Sequence, residues 1–193
     1  HLQFFRKTLP MADFASQAVV AHLLQARLGA VRLVAEEDAA ALRESEPGLA
    51  QQVLEAARVA WPDATLEQVL DAIDVGNAEP SQSGFWTLDP IDGTKGFLRK
   101  QQYAVALAYI DHGNPAVAAL ACPNLPRSFS APVDAADPEG SMYFAVRNEG
   151  CYESVADDAN AEATRLTPLQ PRGEGAIAIA ASVEQAHTSG SEV

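Results

Sequence analysis

Cysteine is scarce in this chain: Cys122 and Cys151 are the only two among 193 residues. Two thiols cannot build the disulfide framework of a small secreted domain, and neither stands at metal-ligand spacing from another Cys or a His. They read as reduced, buried thiols and point to the cytoplasm or another reducing compartment, organelles included. Long apolar runs are missing too. None approaches the ~18–20 residues that a membrane-spanning helix needs, so no membrane partner is expected. Positive charge is the third shortage, with 13 Lys and Arg against 26 Asp and Glu and a net charge of −13. That balance argues against a nucleic-acid polymer, whose phosphates are gripped by clustered Lys and Arg. A small phosphorylated ligand stays compatible if metal ions neutralise its site. An initiator Met is absent, and the segment His1–Lys7 is too short and too charged for a secretory signal. The expectation is a fragment, a processed form or an incomplete gene product.

What is present is 48% hydrophobic and 20% charged, the balance of a soluble globular chain. At 193 residues it can bury one good core, or one domain and part of a second. No internal repeat is visible. The most informative stretch is Trp86-Thr87-Leu88-Asp89-Pro90-Ile91-Asp92-Gly93-Thr94-Lys95-Gly96-Phe97. Phe85 to Leu88 reads as a strand end, and Pro90 is expected to finish the strand at Asp89. Gly93 and Gly96 allow close backbone approach to a ligand or positive φ. Thr94 to Leu98 reads as the start of a short helix, whose unpaired N–H groups and positive dipole end suit a phosphate. Asp89 and Asp92 offer the hard oxygens that Mg²⁺ prefers, and the Ile91 carbonyl between them is a further candidate ligand. Two metals ~4 Å apart would activate a water and stabilise the leaving oxygen. Asp-Pro-x-Asp-Gly is also ordinary turn chemistry. The full run, with two carboxylates, a hydroxyl and two glycines behind a strand, favours a metal- and phosphate-binding loop.

Around this loop the pattern is mixed. Asp13 is placed to cap a helix from about Phe14 to Leu28, with Phe14, Ala18, Val19, Leu23 and Leu24 near one face and Gly29 ending it. Val31 to Val34 reads as a short strand leading to Glu36-Glu37-Asp38. Helices follow over about Leu49–Trp61 and, capped by Thr65, to about Ile73. Asn77 to Gly84 is a loop. Tyr103–Ile110 and Pro115–Cys122 flank Asp111-His112-Gly113-Asn114, a hairpin signal. Met142–Arg147 and Cys151-Tyr152 flank Asn148-Glu149-Gly150, a second hairpin. Pro126 to Gly140 reads as a loop, Ala156 to Ala163 as a polar insertion, and Ala176 to Ala181 as a buried strand. The order predicts a layered α+β or α/β domain. An unfinished sheet edge would favour aggregation or a homo-oligomer.

The run Asp89-Pro90-Ile91-Asp92-Gly93-Thr94-Lys95-Gly96-Phe97-Leu98-Arg99 resembles the signature of the lithium-sensitive, Mg²⁺-dependent phosphomonoesterase superfamily that includes inositol monophosphatase. Its Lys95–Arg99 continuation resembles the 3′(2′),5′-bisphosphate nucleotidases, which remove the 3′-phosphate from adenosine 3′,5′-bisphosphate. The resemblance implies an α+β fold, a layered α/β sandwich with a mixed, largely antiparallel sheet. Residues 1–170 would form its metal- and phosphate-binding domain and residues 171–193 the start of an incomplete second domain. Under this resemblance Glu36, Asp89, Asp92 and the Ile91 carbonyl are metal ligands, for two or three Mg²⁺ ions in the complete family site. Thr94 hydrogen-bonds the activated water. Gly93 and Thr94 N–H groups hold phosphate oxygens. Asp13 supports Thr94 or binds an additional metal. Glu36 taken by itself reads rather as a charge on a surface turn, and Asp13 as a simple helix cap, a role compatible with the other. Ala181 to Ser189 resembles the nucleotidases' S-x-E-x-x-H-S-S region, which makes His187 a candidate contact to a small nucleotide substrate; alone it would be a surface His. The family's later W-D-x-A-G segment, which supplies a third aspartate, has no counterpart in these residues. Loss of that ligand would cost on the order of 10³-fold in rate, so weak or absent turnover is expected of these residues alone. The same motif also fits an inositol monophosphatase-type sugar-phosphate phosphatase, and the missing ligand fits a non-catalytic metal- or nucleotide-binding fragment.

Overall fold

A computed structural model describes residues 2–44, 47–127 and 137–167, with side chains from residue 10 onward except that of Pro47. In chain order the elements are α1 (Leu2–Leu28), β1 (Leu33–Ala35), α2 (Ala39–Glu44), α3 (Pro47–Ala57), α4 (Leu66–Asp74) and β2 (Phe85–Asp92). Then come α5 (Thr94–Leu98), β3 (Ala104–Asp111), β4 (Asn114–Cys122), β5 (Ser141–Val146), β6 (Gly150–Val155) and β7 (Thr164–Arg165). The seven strands form one sheet in chain order, β1 to β7. Only β1 and β2 are parallel; every later neighbour is antiparallel. The mixed, largely antiparallel sheet and its helical layer are the α+β architecture expected. The described helices include none long and apolar enough to cross a membrane.

The core lies between the helices and the β1–β3 side of the sheet. Along α1, Phe14, Ala15, Ala18 and Ala21 are buried, and α1 packs on α3, α4 and β2. The small alanines let the partners approach closely, while Leu33 and Leu88 meet them from the sheet. α4 shows how sequence dictates a local element. Thr65 accepts from the Gln68 N–H while the Gln68 side chain accepts from the Thr65 N–H, a reciprocal cap. Val69, Ala72 and Ile73 then fall on one buried face at helical spacing. Gly29, at φ 78°, ends α1 as expected.

Both hairpins form. His112 and Gly113 have φ 48° and 76°, the doubly positive turn whose twist matches the strands it joins. The helical expectations need correction in three places. α1 starts at Leu2 rather than Phe14, so Asp13 is an interior residue and caps nothing. α2 was not anticipated, and α3 stops at Ala57, short of Trp61. β2 continues to Asp92 instead of ending at Asp89. The two-residue β7 was also missed. Cys122 and Cys151 are free thiols, half-buried rather than buried. The expected strand Ala176–Ala181 and the proposed second domain at 171–193 lie outside the described residues, as does most of the expected loop between the hairpins.

Replacing Thr65 by Ala removes one half of the reciprocal cap. The Thr65→Ala chain should lose about 1 kcal/mol of unfolding free energy in urea. An unchanged denaturation midpoint would mean that α4 is held by its buried face alone.

Candidate active site

The site is assembled at the end of the parallel pair. Leu33 pairs with Trp86 and Ala35 with Leu88, so both strands leave the core in the same direction. Glu36, the residue after β1, therefore emerges beside Asp89, the residue after Leu88. The antiparallel pairing of β2 with β3 then places the second aspartate. Asp89 pairs with Ala106, and Asp92 with Ala104, leaving two residues on β2 opposite Val105 alone. This is a bulge. In a regular strand, residues three apart point to opposite faces. The spare residue brings Asp92 back to the face of Asp89, because their partners Ala104 and Ala106 share one face of β3. The bulge also explains why the strand survives Pro90, which is placed where a ladder N–H is not required.

These carboxylates repel one another. Burial and then the charges of Asp89 and Asp92 raise the Glu36 pKa. Burial and then Asp92 raise that of Asp89, against the lowering effect of the Ile91 N–H, which donates to Asp89 Oδ1 at 3.1 Å. The donors are all hard oxygens carrying surplus negative charge, a chemistry that fits Mg²⁺. Among the described residues, no group of three His, Cys, Asp or Glu side chains is gathered closely enough to hold a metal ion. The fit is one of donor chemistry and proximity, without a finished coordination shell.

Asp13 faces the same cluster from α1. It is 8% exposed. Burial first, then the charges of Glu37, Glu36 and Asp89, push its pKa up to about 7. Glu37 is half-buried, and burial followed by the Glu36 charge raises its pKa as well. Beyond the bulge, Gly93 takes φ 85° and ψ 43°, a left-handed conformation that suits glycine, and leads directly into α5. Thr94 is the first residue of α5 and is exposed; the first N–H groups of such a turn have no acceptor within the helix. Gly96 lets α5 close onto the following loop, since a Cβ there would collide with the Gln102 carbonyl oxygen. The Gln101 N–H donates to the Gly96 carbonyl at 2.8 Å across this contact.

The structure thus brings Asp13, Glu36, Asp89, Ile91, Asp92, Gly93 and Thr94 into one region. His187 lies outside the described residues. Four neighbours escaped the sequence reading. Glu37 was passed over beside Glu36. Ser16 and Gln17 sit on α1 within four residues of Asp13, and their one visible signal was a Gln amid the apolar stripe of Phe14, Ala18 and Ala21. Cys122, at the end of β4, is near enough to Asp92 for its pKa to be raised by burial and then by that charge.

The Asp13 carboxyl gives a pH signature. Its folded pKa, about 7, lies above the ordinary 3.8, so between these values the native chain holds a proton that the unfolded chain has lost. Without added metal, stability should fall as pH rises from about 4 to about 7, by up to about 4 kcal/mol from this group. Asp13→Asn should flatten that decline and leave the variant the more stable of the two at pH 8. Parallel urea titrations of wild type and variant across this range check it; identical slopes would show that Asp13 titrates normally.

Comparison with known proteins adds to this geometry. A curated Schizosaccharomyces pombe protein named 3′(2′),5′-bisphosphate nucleotidase is 38% identical over 158 residues, which cover 77% of this chain and 44% of that protein. An Arabidopsis thaliana protein named 3′(2′),5′-bisphosphate nucleotidase 1 is 38% identical over 171 residues, covering 79% of this chain and 48% of its own length. The chain thus spans about half the length of these curated relatives. Among solved structures, staphylococcal inositol monophosphatase-1 aligns with a TM-score of 0.40 at 19% identity, over 74% of this chain and 36% of that one. Residues 6–189 match the inositol monophosphatase family, and the chain belongs to that family.

Proposed function

We propose that this chain carries the metal- and phosphate-binding part of a Mg²⁺-dependent phosphomonoesterase whose substrate is adenosine 3′,5′-bisphosphate. The observation that carries the reading is the convergence of Glu36, Asp89 and Asp92, through the parallel β1–β2 pair and the bulge in β2, beside the Gly93–Thr94 start of α5. The naming of relatives at 38% identity as 3′(2′),5′-bisphosphate nucleotidases supports the substrate class. The Lys95–Arg99 continuation of the motif favours the same branch over an inositol phosphate phosphatase.

Glu36, Asp89, Asp92 and the Ile91 carbonyl would hold Mg²⁺, which when bound acidifies a water and offsets phosphate charge. The chain's own groups supply the rest. Gly93 and Thr94 N–H groups donate to phosphate oxygens, fixing phosphorus against the carboxylate cluster. Thr94 Oγ accepts a hydrogen bond from the attacking water and orients it in line with the scissile bond. The Asp13 carboxyl, able to retain its proton near neutrality, lies on the Glu36–Asp89 side of the site and limits the negative charge gathered there. His187 would contact the nucleotide.

Phosphate release from adenosine 3′,5′-bisphosphate and from inositol 1-phosphate, both with Mg²⁺, tests the reading. The nucleotide should be the better substrate, and Asp89→Asn or Thr94→Val should lower kcat on the order of 10²-fold or more. Preference for the inositol ester would overturn the substrate class. Mg²⁺-dependent nucleotide binding without release would mean that these residues bind but do not turn over.

A further inference from the structure

The segments that carry Glu36 and Asp89 are both tied to α1, and at adjacent positions. Gln17 is fully buried, and its side chain makes three hydrogen bonds. Its Nε2 donates to the Glu37 carbonyl at 2.7 Å and to the Ile73 carbonyl at 3.0 Å, while its Oε1 accepts from the Glu37 N–H at 2.9 Å. Gln17 therefore grips both backbone groups of the residue directly after Glu36 and braces them against the end of α4. Space for this amide is made by Gly76, where a Cβ would fall 2.5 Å from Gln17 Nε2. Gly76 in turn accepts from the Ala35 N–H at 2.9 Å, closing the ring around the end of β1. One residue earlier on α1, Ser16 Oγ donates to the Pro90 carbonyl at 3.1 Å. Pro90 directly follows Asp89. Each tie thus holds the backbone next to one candidate ligand, and both start from one rigid turn of helix.

We propose that Ser16 and Gln17 are positioning residues: a two-point clamp on α1 that sets the separation of Glu36 from Asp89 and so the strength with which the pair takes a divalent cation. The proposal rests on the metal-site reading above and adds residues that touch neither metal nor substrate. A Gln that merely satisfies buried backbone groups would affect folding alike whether or not Glu36 can ligate. A clamp acts through Glu36, so its effect on metal affinity must disappear when Glu36 loses its charge.

The test is Mn²⁺ binding by the full 193-residue chain, read as loss of the free-ion paramagnetic resonance signal, with circular dichroism to confirm folding. Ser16→Ala and Gln17→Met are compared in the wild-type and Glu36→Gln backgrounds. Each should weaken Mn²⁺ binding in the wild-type background, Ser16→Ala by roughly 3-fold or more and Gln17→Met by roughly 10-fold or more. In the Glu36→Gln background the further loss from Gln17→Met should shrink to within about 2-fold. Where Gln17→Met does not fold, Ser16→Ala decides, since it removes a single partly buried hydroxyl; its further loss in Glu36→Gln should then be smaller than its loss in wild type. Equal losses in both backgrounds, or unchanged affinities, would overturn the clamp while leaving the metal site standing. Failure of the wild-type chain to bind Mn²⁺ would overturn the metal reading and the clamp together.

Discussion

Two strands that leave the core side by side and in the same direction decide where the charge of this protein collects. In the described part of the sheet only β1 and β2 run parallel. A parallel pair brings two C-terminal ends to one edge, and here each end continues into acidic residues. Had β1 been antiparallel to β2, Glu36 would have emerged at the opposite end of the sheet from Asp89. The helices between the two strands make the crossover possible, since a parallel connection needs a dozen or more residues and cannot be a tight turn. The helical core is thus a requirement of the site as well as of stability.

The cost of that arrangement is visible in the carboxylates. Asp13, Glu36, Glu37 and Asp89 all bind protons more tightly than free side chains do, with burial as the first cause and their neighbours' charges as the second. A fold does not gather such groups for stability, because each would be more comfortable in water. Clusters of this kind are where function is commonly found. The surplus negative charge sits beside a left-handed glycine and the start of a short helix, so acceptor oxygens and donor N–H groups face one locality.

Much of this was legible in the sequence because it is local. The Asp89–Phe97 run carries its turn chemistry in the order it is used, and the short helix at Thr94 and both hairpins form as the Gly and Asn positions indicate. Thr65 with Gln68 announced α4. What was not legible depends on distance along the chain. The adjacency of Glu36 and Asp89 is set by strand pairing across more than fifty residues, and without a family resemblance Glu36 looks like any charge on a turn. Asp13 was misread because an Asp ahead of an apolar stripe is a good cap signal, whereas the helix already runs through it. Gln17 gave only the hint of an amide in an apolar row; its partners, Glu37 and Ile73, lie in the β1–α2 connection and on α4. Pro90 seemed to end a strand because the bulge that accommodates it appears only when β3 is laid alongside.

That bulge has a consequence for how the chain finds its fold. In β3 alanine alternates with Val105, Leu107 and Tyr109, so a ladder of β2 against β3 displaced by two residues would keep the same faces turned inward. The two-against-one step at Val105 separates these alignments, because a displaced ladder would have to move the kink away from Pro90, whose missing N–H it accommodates. The irregularity that joins two aspartates on one face thus also acts as a detent, fixing the register of β2 against β3.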